Sequence, residues 1–182
     1  MNDQYDVCVA GAGNAALCAA ISAAEKGARV LVLERAPQSE NGGNSRFTAG
    51  GFRFVYNGVD DLQDICDLSK SEVEMSEFGS YTEDQFFDDM FRVTDFRCDP
   101  DLVEVLVRNS LSTIRWLHDR GVRFVPMYGR QAFKTEGKFR FWGGLSVEAR
   151  GGGPGLVDME TEIAKQAGVE IRYAAKVTGL LY

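Results

Sequence analysis

The chain has 182 residues, of which 45% are hydrophobic and 26% charged, and it carries a formal net charge of −7. That apolar content supplies a core and excludes wholesale disorder, while the acidic balance argues against nucleic acid and anionic lipid as partners. No apolar run reaches the length of a membrane span, and "MNDQYDVCVAG" has no basic segment ahead of its apolar stretch, so neither membrane insertion nor a signal peptide is expected.

In chain order, "YDVCVAG" is a short apolar run closed by glycine and predicts a buried strand. "NAALCAAISAAEKG" predicts a helix that ends at Gly27, and "ARVLVLE" a second strand, so the first thirty or so residues form a βαβ unit with a parallel sheet. From Ala36 to about Asn57 glycine, serine, asparagine and proline dominate, which reads as a long functional loop. Asp60 to Ser80 is polar and is assigned at most one short helix. "TEDQFFDDMFRVT" opens with a capping box, Thr82 with Gln85, and carries Phe86, Phe87, Met90 and Phe91 at helical spacing, as expected of core packing. In "DPDLVEVLVRNSLSTIRWLHDRG" Asp99 is the cap, Pro100 lies in the first turn and Gly121 ends the helix. "VRFVPMY" and "KFRFWGG" predict strands, "GPGLVDMETEIAKQAG" a helix closed by Gly168, and "VEIRYAAKVTGLLY" one or two strands. The length fits one domain. A final apolar strand with no cap beyond it is expected of the N-terminal part of a longer protein.

Gly11, Gly13 and Ala16 form G-x-G-x-x-A between the first strand and the first helix. Gly11 permits the tight turn, Gly13 lets the backbone approach a pyrophosphate, and Ala16 keeps the helix close to the sheet; the helix N-terminus supplies N–H groups and partial positive charge. Glu34 ends the second strand, where a carboxylate can accept hydrogen bonds from ribose hydroxyls and repels a 2′-phosphate. A bound dinucleotide follows, with NAD and FAD both open at this point.

The second glycine-rich stretch, "GGNSRFTAGG", discriminates between them. Gly42 and Gly43 can take positive φ, and Asn44 and Ser45 add side-chain donors suited to pyrophosphate or a ribityl chain. Thr48, Ala49, Gly50 and Gly51 offer small side chains on which a planar ring can rest, a description that suits isoalloxazine better than nicotinamide. The competing reading is a flexible surface loop. A Gly50→Val change is expected to disrupt flavin binding while leaving the βαβ unit folded.

With "VAGAGNAALCAA", "VLVLERAP" and "GGNSRFTAGGF" in hand, the chain resembles the flavoprotein family of fumarate reductase and succinate dehydrogenase; "GNAALCAA", "GGNS" and "GGGPGLVD" are most similar to its tricarballylate dehydrogenase-like members. The resemblance implies an α/β, Rossmann-like FAD-binding fold with a parallel central sheet, residues 1–182 being the N-terminal part of that domain, ahead of the capping domain that binds substrate. It implies that Gly11, Ala12, Gly13, Asn14 and Ala15 cradle the FAD pyrophosphate and that Glu34 and Arg35 hold the adenosine ribose. It further implies that Gly43, Asn44 and Ser45 contact phosphate and ribityl groups, that Thr48, Ala49, Gly50 and Gly51 line the flavin, and that the Val177 backbone contacts adenine. The implied activity is hydride transfer between a carboxylate C–C bond and flavin N5, with a small carboxylate as substrate and an electron-transfer partner that the sequence does not identify. The alternatives are an NAD-dependent reductase and a non-catalytic nucleotide-binding module.

No catalytic residue is assigned. The single histidine, His118, lies on the apolar side of its helix and reads as packing. Arg140 and Arg150, near glycine turns, are weaker candidates for a carboxylate. Cys8, Cys18, Cys66 and Cys98 match no zinc spacing, no metal is expected, and reduced thiols fit a cytoplasmic protein.

Overall fold

The first strand, β1 (Val7–Ala10), feeds helix α1 (Asn14–Glu25) and then strand β2 (Val30–Leu33) in the computed structural model, which describes residues 4–181. The strands pair in parallel, with Val7 opposite Val30 and Ala10 opposite Leu33. α1 buries Leu17, Ala20 and Ile21, spaced three and four residues apart so that they share one face. At its end Gly27 takes φ +85°, donating its N–H to Ala24 while the Ala28 N–H reaches Ala23. This left-handed closure is open to glycine without steric cost.

The glycine-rich stretch after β2 contains two 3-10 turns, Gln38–Glu40 and Gly43–Phe47, where composition alone suggests only loop.

Residues 51–150 form a separate compact unit. Its elements are β3 (Gly51–Phe52), β4 (Tyr56–Asn57), α2 (Val59–Gln63), α3 (Lys70–Met75), β5 (Ser76–Glu77), β6 (Ser80–Tyr81), α4 (Glu83–Val93), α5 (Pro100–Arg120), β7 (Phe124–Pro126), α6 (Tyr128–Gln131), β8 (Ala132–Thr135), β9 (Lys138–Phe141) and β10 (Val147–Ala149). β10 lies between β3 and β7, antiparallel to both; β9 lies between β5 and β8; β4 pairs with β6. The polar run from Asp60 to Ser80 thus holds two short helices. Thr82 and Gln85 form the expected capping box, and Phe86 is buried against Tyr81. Asp99 accepts from the N–H groups of Asp101 and Leu102, and α5 buries Val103, Val107, Ser110, Ile114 and Leu117 before Gly121 ends it at φ +119°. His118 is half-buried, its Nδ1 3.7 Å from Asp119.

The chain then returns to the first unit, residues 1–50 and 151–182, through α7 (Gly152–Gln166) and β11 (Glu170–Arg172). β11 lies parallel to β2, Glu170 opposite Leu31 and Arg172 opposite Leu33, giving the order β1-β2-β11. β2 is central, which explains why Val30, Leu31 and Val32 are buried and why the run is apolar without alternation. α7 packs against both α1 and the 3-10 turn Gly43–Phe47. All four cysteines are free, and no helix among the described residues is long and apolar enough to cross a membrane.

Candidate cofactor-binding site

The turn from β1 into α1 is held at three points. Gly11 donates its N–H to the Leu33 carbonyl at 2.9 Å, Ala12 to Glu34 Oε2 at 2.7 Å, and Asn14 to Ser45 Oγ at 3.0 Å. Gly11 has φ +99°, and a side chain there would point into open space. The N–H groups of Gly13, Ala15 and Ala16 have no acceptor among the described residues. Gly13 offers no side-chain cap, and the first turn of α1 has no acidic residue. An anion at this helix end therefore meets unsatisfied donors and the positive end of the helix dipole, with no carboxylate to repel it.

Glu34 is buried, and each carboxylate oxygen takes one backbone N–H, Oε2 that of Ala12 and Oε1 that of Ala36 at 2.8 Å. Its direct work is to tie the glycine turn to the end of β2; one acceptor position on each oxygen remains for a ribose hydroxyl. Arg35 is exposed beside it. The segment after β11 continues along β2, the Ala175 N–H donating to the Glu34 carbonyl and that of Ala174 to Ala36. This brings Val177 and Lys176 to a cleft of about 280 Å³ with Ala10, Gly11, Leu33 and Arg35, at the C-terminal ends of the parallel strands. Ligands of open parallel sheets sit at that end.

The second glycine stretch approaches the first. A Cβ on Gly13 would stand 3.3 Å from both the Gly42 carbonyl and Ser45 Oγ. Gly42 takes φ +100° and faces Val157, where a Cβ would come within 2.7 Å of a methyl group. Arg46 latches the turn, donating to the Asn41 carbonyl at 2.6 Å and Asn41 Oδ1 at 2.8 Å and pairing with Asp158 at 2.8 Å. Gly43 and Asn44 are exposed beside the α1 terminus. Thr48 is exposed, but its hydroxyl is used inside the turn, donating to the Ser45 carbonyl and accepting from the Gly50 N–H. Gly50 is buried with Ala49 beside it, and Gly50 faces the backbone of Gly152. Gly51 belongs to the second unit, where it opens β3 against Met127.

Gly11, Ala12, Gly13, Asn14, Ala15, Glu34, Arg35, Gly43, Asn44, Ser45 and Val177 thus gather at one end of one sheet. Two partners escaped sequence reasoning: the N–H of Ala16, and the Gly151–Gly153 run, whose Gly153 N–H donates to the Thr48 carbonyl at 3.0 Å. Three consecutive glycines at the start of a helix were the available signal.

The two arginines that are weaker candidates for a carboxylate sit in the second unit. Arg140 is committed to Glu77 at 2.8 Å. Arg150 lines a cleft of about 460 Å³ with Arg123, Tyr128, Asp67 and Glu72.

A family model described as FAD binding domain matches residues 6–182. The chain belongs to the FAD binding domain family of the fumarate reductase/succinate dehydrogenase flavoproteins. It is 28% identical over 180 residues to a probable fumarate reductase, Ifc3, of Shewanella frigidimarina, covering 99% of this chain and 27% of that protein. It is 32% identical over 127 residues to a vinyl phenol reductase of Lactiplantibacillus plantarum, covering 68% of this chain and 22% of the relative. The chain therefore spans about a quarter of the length of these relatives. Its fold resembles that of a 3-ketosteroid-Δ4-(5α)-dehydrogenase from Rhodococcus jostii RHA1, with a TM-score of 0.66 at 23% identity over 93% of this chain and 38% of that one. A flavocytochrome c3 fumarate reductase in its open conformation matches with a TM-score of 0.65 at 24% identity over 95% and 27%. The cofactor of this FAD binding domain is FAD, which removes the NAD alternative.

Proposed function

We propose that this FAD binding domain serves an oxidoreductase that transfers a hydride between flavin N5 and a C–C bond of a small carboxylate or polycarboxylate. The observation that carries the reading is the meeting of the two glycine stretches at the start of α1, where Ser45 Oγ accepts the Asn14 N–H and the Gly13, Ala15 and Ala16 N–H groups have no acceptor among the described residues. A single glycine turn suffices for a pyrophosphate; a second one beside it extends the site along the cofactor.

In this reading Gly11, Ala12, Gly13, Asn14 and Ala15 hold the pyrophosphate, Glu34 and Arg35 the ribose, and Gly43, Asn44 and Ser45 the phosphate and ribityl groups. Thr48, Ala49, Gly50 and Gly51 line the ring, and the Val177 backbone meets adenine. Bound FAD supplies hydride acceptance and donation at N5. The chain's own contribution is to fix the cofactor through backbone donors that need no reorganisation. The class of reaction is supported by relatives named as a probable fumarate reductase and a vinyl phenol reductase. The finer assignment, a tricarballylate dehydrogenase-like enzyme, is supported by "GNAALCAA", "GGNS" and "GGGPGLVD". A cytoplasmic setting and an electron-transfer partner complete the proposal, the first supported by four free cysteines.

The test is anaerobic. The whole protein is reconstituted with FAD, the flavin is reduced, and unsaturated mono-, di- and tricarboxylates, a vinyl phenol and a steroid enone are added in turn. Reoxidation of the flavin by a carboxylate and by neither neutral compound supports the reading. Reoxidation confined to the phenol or the steroid overturns it.

A further inference from the structure

The interface between α1 and α7 holds a carboxyl group that the cofactor contacts do not explain. Glu160, on α7, is 0% exposed; its Oε2 has no hydrogen-bond partner among the described residues, and its Oε1 lies 3.6 Å from the sulfur of Cys18 on α1. The same sulfur lies 3.5 Å from Oδ1 of Asn14, the first residue of α1 and the one whose N–H is held by Ser45. A thiol carries one proton and can serve only one of these two oxygens.

The charged groups nearby do not neutralise Glu160. Arg46, from the 3-10 turn packed on α7, is committed to Asn41 and Asp158, and Glu162 on α7 is exposed. Among the described residues no cation pairs with Glu160. Burial pushes its carboxyl up to about 8 and, with the neighbouring carboxylate, pushes the Cys18 thiol up to about 12. At neutral pH both groups keep their protons.

We propose that Glu160 is a positioning residue for the cofactor turn, acting through the Cys18 thiol to fix the side chain of Asn14. The neutral carboxyl donates to the Cys18 sulfur, and the thiol proton is then directed to Asn14 Oδ1. With that oxygen anchored, the two N–H donors of the Asn14 amide are the part left to a ligand. An ionised Glu160 accepts the hydrogen bond of the thiol, which stays protonated, and Asn14 Oδ1 loses its donor. No proton leaves the chain in the first state, and a single proton, that of Glu160, goes to solvent in the second. The inference rests on the reading that this turn holds FAD.

The test is the FAD dissociation constant of the whole apoprotein by flavin fluorescence, with melting followed in parallel so that every titration is made on folded protein. In the wild type the constant should rise about five-fold, the worth of one neutral hydrogen bond, between about pH 6 and about pH 9. Glu160→Gln cannot ionise and its amide can still donate to sulfur, so its affinity should stay high and flat. Cys18→Ala removes the link, so its affinity should be low and flat even though Glu160 still titrates. A purely structural Glu160 would alter melting and leave all three affinity profiles superimposable, and that result overturns the inference while leaving the cofactor reading intact. A wild type that takes up no FAD at any pH overturns both.

Discussion

Gly50 and Gly152 meet backbone to backbone: a Cβ on Gly50 would stand 2.7 Å from the carbonyl carbon of Gly152, and Gly50 itself takes φ +72°. Glycine is demanded here by packing within the protein, whatever the cofactor requires. Gly50→Val is therefore expected to displace the second glycine stretch from α7 and to lower stability by about 3 kcal/mol or more, through combined overpacking and left-handed backbone strain. A loss of FAD binding in that variant would not isolate a flavin contact. Gly43→Ala is the cleaner probe. Gly43 has φ +51° with open space where a Cβ would stand, so the substitution should cost about 1 kcal/mol of backbone strain and nothing by collision. Denaturant melts of both variants, paired with FAD titrations, separate the two effects.

The link between Ser45 and Asn14 spans two stretches that are far apart in sequence, and it acts as the side-chain cap that Gly13 cannot provide. Ser45→Ala should lower stability by about 1 kcal/mol, as loss of a helix cap does, and should weaken FAD binding beyond that loss because the second stretch is no longer fixed against the first. The check is the FAD dissociation constant measured well below the melting temperature. An unchanged constant would restrict Ser45 to a structural role.

Arg46 and Asp158 form an asymmetric pair. The arginine makes two hydrogen bonds to Asn41 as well as the ion pair, whereas the Asp158 side chain is 66% exposed and, among the described residues, engages only Arg46. Arg46→Ala should cost about 2 kcal/mol, since the buried Asn41 loses both of its hydrogen bonds from Arg46, while Asp158→Ala should cost less than about 1 kcal/mol and lose even that at high salt. Thermal melts at low and high ionic strength distinguish the two.

What the sequence made legible was local. The βαβ unit, the capping box of Thr82 with Gln85, and the ends of α5 at Asp99 and Gly121 all follow from interactions within a few residues, and all are found where expected. What it hid was non-local. The 3-10 turn Gly43–Phe47 is stabilised by α7 from more than a hundred residues further on, so its composition alone resembles loop. The central place of β2 depends on β11 returning beside it, which no motif announces. Nothing in the polar run "DMETE" marks Glu160 out; only the packing of α7 on α1 buries it. Glu34 was expected as a ribose ligand, and its backbone partners Ala12 and Ala36 become visible only when the turn and strand end are brought together.

Glu160 also predicts an uncommon pH dependence of stability. Its carboxyl is raised by burial to about 8 in the folded protein and titrates near the ordinary carboxylate value once unfolded. The folded state therefore holds a proton that the unfolded state releases, and stability falls as pH rises. The contribution is complete below about pH 4.5, declines steadily across the interval to about 8, and is gone above it, with a total on the order of 5 kcal/mol. This runs opposite to the familiar loss of stability on acidification, which comes from carboxylates held ionised, such as Glu72 and Asp89 with their lowered values. Chemical denaturation across that interval should show the wild type losing stability relative to Glu160→Gln, which has no proton to release. The absolute offset between the two proteins depends on how well the amide is accommodated, but the difference in slope does not. Parallel curves would mean that Glu160 is ionised in the folded protein, which requires a compensating cation that the described residues around Glu160 do not supply.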